Sequence, residues 1–124
     1  MVPLVLLTVD IVPLDQTMGE EELRELSVPC LNHLKELKGS FDRNDNIQLC
    51  IRQYAQEDGH CKLTARLVMT ISVGAQRAQH LCRVLDSYRQ LFQYELPNCI
   101  VNFILLFIDI CNKVLFHSEI LKFQ

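Results

Sequence analysis

Apolar positions are densest over residues 97–116, Pro-Asn-Cys-Ile-Val-Asn-Phe-Ile-Leu-Leu-Phe-Ile-Asp-Ile-Cys-Asn-Lys-Val-Leu-Phe. Wound at about 100° per residue, Asn98, Asn102, Asp109, Asn112 and Lys113 gather in one narrow wedge, while apolar side chains cover the remaining circumference. This pattern predicts a central helix packed on most sides, with a thin polar edge reaching water. Leu105 falls inside that wedge, whereas Phe103, Ile104, Phe107 and Ile108 point into the fold. Asp109 stands four residues before Lys113, acid before base, the favourable order for an exposed helical pair. Pro97 suits a first helical turn, where its missing N–H would lack a partner anyway.

The preceding segments read as neighbours for that helix. Residues 1–14 are β-branched and bracketed by Pro3 and Pro13, which predicts an extended segment or edge strand, or the remnant of a preceding helix. A start this apolar reads as a cut from something longer. Thr17 and Glu20 have capping-box spacing, and Glu20, Glu21 and Glu22 place negative charge at a helix N-terminus. Leu23, Leu26, Cys30, Leu34 and Leu37 form one apolar face, with Gly39 closing the helix. Pro29 predicts a kink there, or two short helices with Ser27 starting the second. Asn44 or Asp45 caps a next helix, whose apolar positions are Ile47, Cys50, Ile51 and Tyr54, and Glu57-Asp58-Gly59 stops it.

Residues 62–73 fit two periods. Leu63, Ala65, Leu67, Met69, Ile71 and Val73 alternate as in a strand, while Leu63, Leu67, Val68 and Ile71 share a helical face. The helical neighbours and the length of the run favour helix. Residues 75–94 form the clearest amphipathic helix, with Ala78, Leu81, Cys82, Leu85, Tyr88, Leu91 and Phe92 on one side. A short Glu95-Leu96-Pro97 connection then implies antiparallel packing on the central helix.

The fold expected is mainly α: residues 1–124 as a single helical domain, a compact antiparallel bundle or short helix-pair stack of four to five helices, or a piece of a larger helical protein. The alternative is α+β, with short strands near residues 4–12 and 63–73. Helix pairs rich in Leu, Cys, Ile and Val resemble, in pattern alone, the units of armadillo- or HEAT-type solenoids.

Composition narrows the function classes. The 49% hydrophobic and 22% charged content is that of a globular chain. A net charge of −3, with arginines at 66, 77, 83 and 89 spread over different helical faces, argues against nucleic-acid binding. The 97–116 run is too short and too interrupted by Asn and Asp to span a bilayer of about 30 Å as a helix. Six cysteines raise a disulfide reading, but Cys50, Cys82, Cys99 and Cys111 sit in apolar runs. With no Asn-x-Ser/Thr acceptor and no secretory signal pattern, reduced thiols in a cytoplasmic or nuclear setting are expected.

Catalytic signatures are lacking. Cys30 with His33, His60 with Cys61, and His80 with Cys82 do not have zinc-ligand spacing, and no C-x-x-C occurs. Neither a nucleophile elbow nor a glycine-rich phosphate loop is present. The expected function is therefore a non-catalytic protein–protein interaction module or assembly subunit, binding a protein partner or a second copy. No metal or cofactor is implied. The candidate contact ridge is the wedge of Asn98, Asn102, Leu105, Asp109 and Lys113. A secreted disulfide-bonded helical mediator and a small cysteine- and histidine-dependent enzyme are the alternatives.

Overall fold

The computed structural model describes residues 4–43, 46–55, 57–59, 61–108 and 114–122, the last stretch as backbone. Among these the chain forms, in order, β1 (Leu4–Pro13), α1 (Glu20–Gly39), β2 (Ile47–Ala55), β3 (Cys61–Ser72), α2 (Ala75–Glu95), β4 (Cys99–Ile108) and β5 (Val114–Lys122). The strands lie in the order β2-β3-β1-β4-β5, each antiparallel to its neighbours. The first six elements are two interleaved β-α-β units, the ferredoxin-like arrangement, and β5 widens the sheet by one strand. The fold is thus α+β. The expected helical bundle, and with it the solenoid-like helix pairing, is overturned.

The central helix expected over 97–116 is instead two strands. Burial along β4 alternates without a break: Cys99, Val101, Phe103, Leu105 and Phe107 are buried, and the residues between them are half-buried. Periodicity misleads here because apolar residues occupy both faces of the strand, which erases the period-two signal. The β-branched and aromatic residues of the run are those that suit a pleated surface. The helix expected after residue 45 is likewise β2, with Ile47, Leu49 and Ile51 half-buried and Gln48, Cys50 and Arg52 exposed. Its proposed caps, Asn44 and Asp45, lie outside the described residues. Residues 61–72 take the strand alternative, and Gly59, at φ 83°, makes the turn between β2 and β3.

β1 is a strand, but the middle one and not an edge. Val5, Leu7, Val9 and Ile11 are fully buried between β3 and β4. Pro13 is compatible with this because it ends the ladder opposite Cys99, and the Leu14 N–H then bonds the Asn98 carbonyl.

Both helices pack on one face of the sheet, α1 against β2 and β3 and α2 against β4. α2 spans the amphipathic segment the sequence predicts, burying Leu81, Leu85 and Phe92. α1 buries Leu23, Ser27, Cys30, Leu34, Leu37 and Lys38. It is one helix and not two, and Pro29 sits on its exposed side. Ser27 starts no second helix; its hydroxyl donates to the Leu23 carbonyl at 2.7 Å. Thr17 is not the N-cap either. Its amide and hydroxyl both donate to the Asp15 carboxylate in a local turn, and the helix begins after Gly19. These bonds hold the Asp15 carboxyl below its ordinary pKa.

At the far end of α1, Lys38 is 1% exposed, and its Nζ donates to Asp42 Oδ1 at 2.8 Å. Asp42 Oδ2 accepts the Ser72 N–H, so this pair ties the end of α1 to the end of β3. Arg77, in the first turn of α2, stacks 4.5 Å above the Phe41 ring and donates to the Ser40 carbonyl.

Candidate functional site

Among the residues expected to form a contact ridge, the described ones do not share a face. Asn98 is exposed in the turn before β4, Asn102 lies half-buried on the sheet face away from the helices, and Leu105 is 0% exposed on the opposite, helix-covered face. Residues three apart share a helical face but fall on opposite faces of a strand. Asp109 and Lys113 lie outside the described residues.

The strand registers define a different surface. On the face away from the helices, Leu4 opposes Ile108, Leu6 opposes Leu106, and Thr8 stands between Val68 and Ile104. No described element covers this face, and Leu4 is 39% exposed on it. An antiparallel sheet with one wet face normally alternates apolar and polar residues along each strand. Here the outer positions of β4 are Ile100, Asn102, Ile104, Leu106 and Ile108, apolar at all but one. The outer positions of β2 are Gln48, Cys50, Arg52 and Tyr54, so the apolar patch belongs to the β1–β4 half of the sheet.

One polar row bounds the patch. Arg66 donates from Nε and Nη2 to Asp10 Oδ1 and Oδ2, at 2.8 and 3.1 Å, as a bidentate cross-strand pair. The hydrogen bond to Asp10 raises the Arg66 pKa, so the guanidinium stays charged and neutralised in place. Asn102 stands opposite Asp10 on the other side, its Oδ1 occluded and accepting no hydrogen bond among the described residues. An occluded acceptor without a donor costs about 1–3 kcal/mol. Asn102→Val is accordingly expected to raise the thermal midpoint, and a lower midpoint would contradict this account.

A second group of chemically capable side chains lies between the helices. His33 Nε2 and Glu95 Oε1 are 2.7 Å apart, and the His33 ring packs 6.3 Å from Tyr88 and 6.0 Å from Phe92. They border an open cleft of about 300 Å³ lined by His33, Glu36, Ser87, Tyr88 and Leu91. A base with an orienting carboxylate still needs a nucleophile. Ser87 directs its hydroxyl to the Arg83 carbonyl. Cys30, one turn before His33, is fully buried, and burial, with Glu95 and Cys99 nearby, pushes its thiol up to about 12. Burial also raises Cys82 and Cys99. Among the described residues no three His, Cys, Asp or Glu side chains are grouped to hold a metal ion.

The described cysteines 30, 50, 61, 82 and 99 are free thiols. Thiolate is the reactive form, so exposed Cys50 and Cys61 are expected to alkylate in the native protein, and buried Cys30 to react far more slowly. Mass-mapped labelling with and without denaturant checks this, and native labelling of Cys30 at the rate of Cys50 would refute it. An unfolded thiol ionises near about 8.5, whereas Cys30 in the fold ionises near about 12. Its contribution is therefore intact below about 8.5 and is lost as pH rises toward 12.

No family model matches this chain, and no curated protein matches it. Among solved structures it is similar to a phage SAM lyase in complex with S-methyl-5'-thioadenosine, with a TM-score of 0.44 and 8% identity over 93% of this chain and 88% of that one. A likeness at that level carries no argument about activity. No helix among the described residues is long and apolar enough to cross a membrane.

Sequence reasoning missed the patch because it wound β4 as a helix, which mixes inner and outer residues. Its signal was available in β1, where Leu4, Leu6, Thr8, Asp10 and Val12 already alternate with a second apolar set.

Proposed function

We propose that this chain is a non-catalytic interaction module that binds a protein surface through the open face of its sheet. One observation carries the reading: the outer positions of β4 are apolar at all but Asn102, and Leu4 and Leu6 of β1 extend that patch, yet no described helix packs on it. A protein partner suits the patch better than a nucleic acid does, since its described residues are mainly aliphatic and Arg66 beside it is already paired with Asp10. Burial raises the Cys30 thiol, and Ser87 directs its hydroxyl to the Arg83 carbonyl and not to His33, which favours a binding role over catalysis. Free cysteines suit a reducing compartment, cytoplasmic or nuclear.

The test is a photoreactive amino acid placed at Thr8, on the open face, and separately at exposed Arg83 on α2. Crosslinking in cells is expected from position 8 and not from 83. A chain that yields no protein adduct from position 8 would refute the reading.

A further inference from the structure

We draw no further inference here: the strongest candidate, the open cleft between α1 and α2 lined by His33, Glu36, Ser87, Tyr88 and Leu91, belongs to the group of side chains already described, and none of its lining residues holds a buried polar atom left without a partner that would mark a ligand.

Discussion

Phe103→Ala is expected to destabilise the fold by about 3–5 kcal/mol, and Leu105→Ala by about 2–5 kcal/mol, whereas Ile104→Ala between them loses much less. Phe103 and Leu105 are both fully buried beneath the helices, and the Phe103 ring packs 5.5 Å from that of Phe92 on α2. Removing either side chain opens a cavity that the sheet and helix cannot collapse to fill. Ile104 faces the other way, half-buried on the open face opposite Thr8. Its side chain already meets water on that face, so truncation leaves a smaller cavity. Urea denaturation of the three variants checks this order. The helical reading orders the same residues differently, grouping Ile104 with Phe103 and sparing Leu105. A small loss at Leu105 would therefore contradict the strand register.

Asp42→Asn is expected to be more damaging than Lys38→Met, although the two substitutions break the same ion pair. Lys38 is buried at the end of α1, and its ammonium finds Asp42 Oδ1 at 2.8 Å. Neutralising Asp42 strands a positive charge out of water, a change that typically costs about 3–5 kcal/mol. Lys38→Met removes the buried charge itself and keeps an apolar stem of similar length. The aspartate left behind is 17% exposed and still accepts the Ser72 N–H. Thermal melts of the two variants and of the double variant test this. The double variant should be more stable than Asp42→Asn alone, and equal losses in both single variants would refute the asymmetry.

What was legible in the sequence followed from contrast between faces. α2 could be read because its outer side carries Gln76, Arg77, Gln79 and Arg83 against Leu81, Leu85 and Phe92 within. α1 could be read for the same reason, and its acidic first turn matched the helix dipole. At β3 the strand period was visible, and the helix expected before it, which is β2, helped tip the choice.

The composition by itself determined that the chain has enough apolar residues for a packed core, that residues 20–39 and 75–95 favour helix, and that 97–116 must be largely withdrawn from water. Only the tertiary structure decided in what form that withdrawal occurs. A run apolar at nearly every position satisfies periods of 2 and 3.6 equally well, and the tie is broken by partners far away in sequence: Leu4–Pro13 on one side of β4 and Val114–Lys122 on the other. Strand pairing likewise set Asn102 and Leu105 on opposite faces and brought Asp10 to Arg66, 56 residues away. The backbone hydrogen bonds of a helix are local and leave a local trace, whereas those of a sheet are made between segments that no window of sequence contains together.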